Sequence, residues 1–274
     1  MYIKFYGTRG STPVCDRDYL EFGGNTTCMA LFREEHEDII IFDAGSGIRK
    51  LGMELMKKEF HPTQKIIIGF SHFHWDHIQG FPFFDPAYDP SKQIELIAFG
   101  EKLRVSDLKK VLSKQMEGTF FPIQLDNMGA KFEYNLKKIR EAEFRGGRVL
   151  INSHNHPGGA HGYRLEVRDK VIVYCTDIEH GDSIDKNVVS FSKDADVLIH
   201  DAQYTPEELP KFKGWGHSSW EQAIEVAERA NVKHLYLTHH DPNHDDVFLR
   251  KMEKQCQERF QNCNLAKEGE IMML

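Results

Sequence analysis

The sequence predicts an α+β chain built as an αββα sandwich, two mixed sheets packed face to face with helices outside. Two observations carry this. Short apolar, β-branched runs of strand length alternate with longer amphipathic stretches, and the first half's order, strands and then strands mixed with helices, returns in the second. No repeat period, low-complexity tract or linker interrupts the pattern, so residues 1–274 are expected to form a single domain. At 274 residues, 40% hydrophobic and 28% charged, the chain is long enough to bury a large core.

The elements follow in order. Tyr2 to Tyr6 is a strand that runs into a turn at Gly7, and Cys28 to Phe32 and Asp38 to Phe42 are apolar runs of strand length. Asp43-Ala44-Gly45-Ser46-Gly47 reads as a strand-to-helix turn, and Gly47 to Lys57 as the helix it opens. Strands are expected at Lys65 to Phe70 and Ile94 to Phe99, and a helix at Ser106 to Gln115. The aromatic and Pro-rich segment Phe81 to Gly129 suits either the wall or lid of a pocket or plain core packing. The second half offers strands at Val149 to Ser153, Gly162 to Val167, Val171 to Tyr174, Val197 to Ile199 and His234 to Leu237. Its helices are Ser219 to Ala230, with Ser218 to Glu221 resembling a capping box, and Asp245 to Phe260.

Composition excludes several classes. A net charge of −7 argues against a large basic nucleic-acid surface. No apolar stretch approaches a membrane span and the start lacks a signal-peptide layout, so no membrane partner and a cytoplasmic location are expected. The five cysteines form no C-x-x-C pair and read as reduced, mostly buried thiols.

The chemistry is concentrated in Ser71-His72-Phe73-His74-Trp75-Asp76-His77, directly after a strand. His72 and His74 can point to one side and share an ion, while the side chains of Asp76 and His77 diverge, which suits one of them for a second ion nearby. Imidazole and carboxylate without thiolate favour zinc, with manganese or iron as substitutes. Further candidate ligands lie near strand ends: His154 and His156, Asp177 in Cys175-Thr176-Asp177, and His239 and His240.

The order of these motifs resembles a metallo-β-lactamase-fold hydrolase over nearly the whole chain. Gly7-Thr8-Arg9-Gly10-Ser11, Gly23-Gly24-Asn25-Thr26-Thr27-Cys28, His156-Pro157-Gly158-Gly159 with Gly162-Tyr163-Arg164, His200-Asp201-Ala202-Gln203-Tyr204 and Gly216-His217-Ser218-Ser219 resemble its phosphodiesterase branch. That branch includes ribonuclease-Z-like enzymes and bacterial cyclic-nucleotide phosphodiesterases. The resemblance implies two zinc ions, one on His72, His74 and His156, the other on Asp76, His77 and His239, with Asp177 bridging; His154 and His240 are the alternatives to His156 and His239. It also implies that Asp43 supports the metal loop and that Asp201 pairs with His217; His217, just before a helix, is the candidate acid for the leaving oxygen, and Asp76 a candidate to orient the attacking water. A homodimer is a further implication.

The expected reaction is hydrolysis of a small phosphodiester, foremost a 3′,5′-cyclic nucleotide. Two close zinc ions bring a shared water toward a neutral pKa, and neither a G-x-S-x-G nor a P-loop competes with them. The alternative is ribonuclease-Z-like processing of transfer RNA 3′ ends, which would make extended nucleic acid the partner. Against it stand the acidic balance, the His239-His240-Asp241-Pro242 ending and the lack of a Gly/Pro-rich basic arm. Other esters and thioesters are the remaining metallo-hydrolase alternatives. Arg9 and Arg164 read equally as phosphate ligands or core ion-pair residues, and His180 as peripheral.

Overall fold

The computed structural model describes residues 1–33, 37–58, 64–99, 105–137, 141–144 and 146–274. In chain order these form β1 (Tyr2–Gly7), β2 (Cys28–Phe32), β3 (Ile39–Phe42), α1 (Ile48–Leu55), β4 (Ile66–Phe70), the single turn α2 (Trp75–Ile78), β5 (Gln93–Phe99), α3 (Val105–Gln115), β6 (Lys131–Lys137) and β7 (Glu141–Phe144). There follow β8 (Gly147–His154), β9 (Ala160–Val167), β10 (Lys170–Cys175), α4 (Lys186–Phe191), β11 (Val197–Asp201), α5 (Trp220–Arg229), β12 (His234–Thr238), α6 (Asp246–Arg259), β13 (Cys263–Leu265) and β14 (Ile271–Met273).

Among the described residues there are two seven-stranded mixed sheets, ordered β14-β1-β2-β3-β4-β5-β6 and β13-β12-β11-β10-β9-β8-β7. Side-chain alternation explains their stacking. Ile3, Met29, Leu31, Ile40 and Phe42 of the first sheet meet Tyr163, Leu165, Ile172, Tyr174 and Ile199 of the second in one buried layer. The intervening residues Ala30, Ile39, Ile41, Ile66 and Ile68 face outward onto α1 and α3, and Val173, Leu198, Leu235 and Leu237 face outward onto α4, α5 and α6. The αββα sandwich expected from the sequence is the observed architecture.

The differences are local. β6, β7, β13 and β14 are additions to the expected strands: β13 and β14 have three residues each and β7 four, too short to stand out without a paired neighbour, while β6 carries the polar–apolar alternation of a half-buried strand. The segment Phe81 to Gly129 packs chiefly as core, with Phe81, Phe84, Leu108, Leu112, Met116 and Leu125 buried in the outer layer of the first sheet; its residues 100–104 lie outside the described ones. The capping box of α5 is one residue later than expected, at Ser219 and Gln222. Ser218 is engaged elsewhere, its hydroxyl donating to Ile178 O and its backbone N–H to Asp201. Among the described residues no helix is long and apolar enough to cross a membrane.

β10, β11 and β12 run parallel, so their C-terminal ends open on one side of the sandwich. Asp177, Asp201 and His239 stand at those ends or just beyond them, and the first sheet brings the loop after β4 to the same place.

Candidate metal centre

The structure brings together His72, His74, Asp76, His77, His156, Asp177 and His239, and it leaves the alternatives His154 and His240 outside the cluster. One ligand atom each from His72, His74 and His156 lies within 4.8 Å of the other two, and the same holds for Asp76, His77 and His239. The Asp177 carboxylate sits between these sets. Its Oδ1 is 3.7 Å from His72 Nε2, 3.8 Å from His156 Nε2 and 3.4 Å from His239 Nε2, while its Oδ2 is 3.1 Å from His77 Nε2. His154 turns away to place Nδ1 3.0 Å from Thr176 O, and His240 places Nε2 2.9 Å from Ala266 O.

These spacings suit a cation. Zinc with bonds of about 2.0 to 2.1 Å in tetrahedral geometry sets its ligand atoms about 3.3 Å apart. His156 Nε2 and His74 Nδ1 are 3.1 Å apart, His239 Nε2 and Asp76 Oδ2 3.2 Å, and His77 Nε2 and Asp76 Oδ2 3.4 Å. Among the described residues His72 Nε2 is buried without a hydrogen-bond partner, a costly arrangement that a metal ligand explains. Burial would keep His77 and His239 neutral, but Asp177, Asp76 and further carboxylates outweigh it and raise both, His239 to about 9. The carboxylates therefore favour positive charge at this point. The residues fit a pair of divalent cations.

Four of the five cage imidazoles are oriented from behind. His77 Nδ1 is 3.0 Å from Asp43 Oδ2, His156 Nδ1 2.9 Å from Gly216 O, and His239 Nδ1 2.9 Å from Gln203 Oε1. Such donation fixes the tautomer and leaves Nε2 free for the cage. His72 Nδ1 lies 3.1 Å from the Ser71 hydroxyl, which itself donates to Asp43. Asp43 thus gathers Ser71 N, Ser71 Oγ, His77 and the Tyr174 hydroxyl, at 2.7 to 3.0 Å. These four contacts are the geometric basis for the supporting role expected of Asp43. Gln203, Tyr174 and the Gly216 carbonyl were not anticipated. Gln203 stands in a noted motif, two residues after Asp201, but only the fold turns its amide toward His239.

Asp43, Asp177 and His239 all have left-handed backbone, with φ of 59°, 54° and 64°. Non-glycine residues adopt it at a cost of order 1 to 3 kcal/mol, and such strain gathers at functional sites. Two glycines make room for ligands. A Cβ on Gly10 would lie 2.3 Å from His239 Nδ1, and one on Gly216, whose φ is 91°, would lie 2.1 Å from His156 Nδ1.

His217 and Asp201 adjoin the cage, with ligand atoms within 4.8 Å of those of Asp177 and His239. His217 Nδ1 is 2.8 Å from Asp201 Oδ2, and its ring stacks on that of His239 with centroids 4.9 Å apart. Asp201 is fully buried; burial raises its pKa, but His217 and His239 outweigh this and hold it below the usual range.

Arg9 corrects both of its expected readings. It is fully buried and donates to the carbonyls of Gly23, Asp241 and His244, clamping two loops together beside the site. Arg164 bonds Glu166 and the carbonyls of Phe191 and Lys193. His180 accepts from Asp185 N and His244 lies 2.9 Å from Glu208, both outside the cage.

Two variants probe the support. Asp43→Asn turns an amide N–H₂ toward groups that donate to the carboxylate, so zinc affinity measured by competition with a chelator should fall by about 10 to 100-fold. Gly10→Ala drives a methyl against His239 and should weaken zinc binding by a similar factor, about 10-fold or more, with the fold retained by circular dichroism.

A two-sheet sandwich with this His/Asp cage at one end defines a metal-dependent hydrolase. Residues 39–240 match the family described as the beta-lactamase superfamily domain, and the chain belongs to that superfamily. Among similar curated proteins, one named ribonuclease Z from Enterococcus faecalis is 26% identical, covering 99% of this chain and 97% of its own. Another of that name, from Thermoplasma acidophilum, is 26% identical and covers 96% and 94%. Among solved structures, a diphosphatase from the PhnP family has a TM-score of 0.73 at 19% identity, covering 100% of this chain and 97% of its own. The short form of human tRNase Z has a TM-score of 0.67 at 18% identity, covering 100% and 99%.

Proposed function

We propose that the protein is a phosphodiesterase working with two divalent cations, zinc by preference, on a small phosphodiester of the 3′,5′-cyclic nucleotide type. His72, His74 and His156 would hold one cation, Asp76, His77 and His239 the other, and Asp177 would touch both. When bound, such a pair supplies a water of near-neutral pKa and polarises the phosphoryl oxygens.

The observation that carries the reading is the His217–Asp201 pair beside the cage, 2.8 Å across. A phosphodiester's leaving oxygen departs as an alkoxide unless it receives a proton, and positioned general acids meet that need. Asp201 accepts from His217 Nδ1–H and leaves Nε2 as the proton donor. Asp201 itself is fixed by backbone N–H groups of Ser218, Gln203 and Asp177 at 2.9 to 3.2 Å. Asp76, whose Oδ2 accepts from Ser11 N at 2.7 Å, would orient the attacking water.

A second reading, processing of transfer RNA 3′ ends, is favoured by the relatives named ribonuclease Z, which match over 94% and 97% of their own lengths. A zinc-loaded preparation assayed on cyclic nucleotides, linear diesters and precursor transfer RNA separates the two. Turnover of cyclic nucleotides is the expected result. Cleavage confined to the precursor would move the assignment to the second reading, and inertness toward all three would end the phosphodiesterase proposal. A cytoplasmic homodimer is part of the same proposal, tested by sedimentation.

A further inference from the structure

Trp215 is 62% exposed, an unusual position for the largest apolar side chain, yet the backbone that carries it is pinned. Gly214 N and Gly216 N, on either side, both donate to the Glu179 carboxylate at 2.9 Å, and Trp215 N donates to Phe212 O at 3.0 Å. Glu179 is tied in turn to Asn155, its N–H donating to Asn155 O at 2.9 Å and its carbonyl accepting from Asn155 Nδ2 at 3.0 Å. Asn155 immediately precedes His156, and the carbonyl of Gly216 receives His156 Nδ1. The indole is thus fixed to the wall of the cage while one side stays open.

Its neighbours give it a direction. The Trp215 ring meets Phe212 edge-on at 5.4 Å, Phe212 stacks on Tyr204 at 4.5 Å and 7°, and Tyr204 meets the edge of His217 at 6.0 Å. This row of rings leads from solvent to the imidazole assigned above as the acid, so Trp215 stands on the side where the leaving oxygen would receive its proton. Of the protein's other tryptophans, Trp75 is 66% exposed within the metal motif and Trp220 packs on the second sheet's outer layer.

We propose that Trp215 is the stacking platform for a nucleobase borne by the leaving-group side of the substrate. An indole supplies a rigid π-face with few rotamers to freeze, and every nucleobase offers a matching face, so recognition tolerates the base but requires one. A base-free phosphodiester would reach the same cage and the same acid without this contact. The proposal rests on the phosphodiesterase reading and specifies its substrate class.

The test compares 3′,5′-cyclic AMP with the 3,5-cyclic phosphate of methyl riboside, which keeps the ester ring and sugar but carries no base. In a cyclic nucleotide the leaving oxygen and the base belong to one nucleoside, so the base is on the required side. With zinc-loaded enzyme, Trp215→Ala should raise KM for cyclic AMP by about 5- to 100-fold, the usual worth of base–aromatic stacking. KM for the base-free ester and kcat for both should stay within about twofold, and Trp215→Phe should retain most of the affinity. Equal KM changes on the two esters would overturn the stacking role while leaving the phosphodiesterase reading intact. So would a wild type that binds both equally. Dissociation of a dimer by Trp215→Ala at unchanged KM would assign the indole to a second copy of the chain instead. If the wild type cleaves neither ester, the underlying reading has failed and this proposal falls with it.

Discussion

Replacing Asp177 by Ala is expected to lower the zinc content of the protein from two ions per chain to one or fewer and to abolish measurable hydrolysis. Asp177 is the only residue whose carboxylate approaches ligand atoms of both triads among the described residues, at 3.1 to 3.8 Å. Burial alone would raise its pKa, but His239, His77 and His72 outweigh this and hold it well below the usual carboxylate range. Two dications a few ångströms apart repel each other strongly in a site screened from water, and an anion between them is the natural remedy. Under the proposed arrangement, alanine would leave that repulsion without an anion between the sites and would remove a ligand from each. The loss should exceed the roughly 10 to 100-fold cost of removing a supporting group such as Asp43. His180→Ala is the control: it is buried on the same side of the sandwich but bonds Asp185 N, and two ions should remain. Equal loss of zinc in both variants, by atomic emission after gel filtration, would show that Asp177 has no bridging role.

The second large effect concerns His217. His217→Ala should leave both ions bound yet slow hydrolysis of cyclic AMP, whose leaving group is an alkoxide, by about 10² to 10⁴-fold. The p-nitrophenolate of bis(p-nitrophenyl) phosphate departs without a proton, so its hydrolysis should fall much less. That contrast reads the leaving-group proton directly. Equal losses on both substrates at full zinc occupancy would leave His217 as a residue that shapes the entry to α5 or contacts substrate.

Much of the cage was legible because its ligands are clustered in chemistry-bearing types. His72 to His77 follow a β-branched strand within one short run, and Asp177 and His239 stand just beyond apolar strands whose ends are easily read. The choice of His156 over His154 and of His239 over His240 came from the resemblance; the residues taken alone left it open. His154 and His156 have the same parity on leaving β8, and only the turn at Pro157 to Gly159, together with the Gly216 carbonyl from 60 residues away, selects His156. His239 differs from His240 by a left-handed φ of 64°, which turns one ring into the cage and lets the other bond Ala266 O. The sandwich was predictable from alternation in strands such as Met29 to Phe32, whose two faces meet different layers. Edge strands with few apolar residues, such as β7, were not, since a partner strand defines them. Arg9 reads as a ligand or an ion-pair residue from its type alone, but its guanidinium ties the carbonyl of Gly23 to those of Asp241 and His244, more than 200 residues away in sequence.

Anomalous diffraction at the zinc edge from zinc-loaded crystals tests the two-cation centre most directly. Two peaks about 3.5 to 4 Å apart are expected, one among His72, His74 and His156, the other among Asp76, His77 and His239, with Asp177 in contact with both. A single peak, or two peaks with Asp177 outside the space between them, would contradict it.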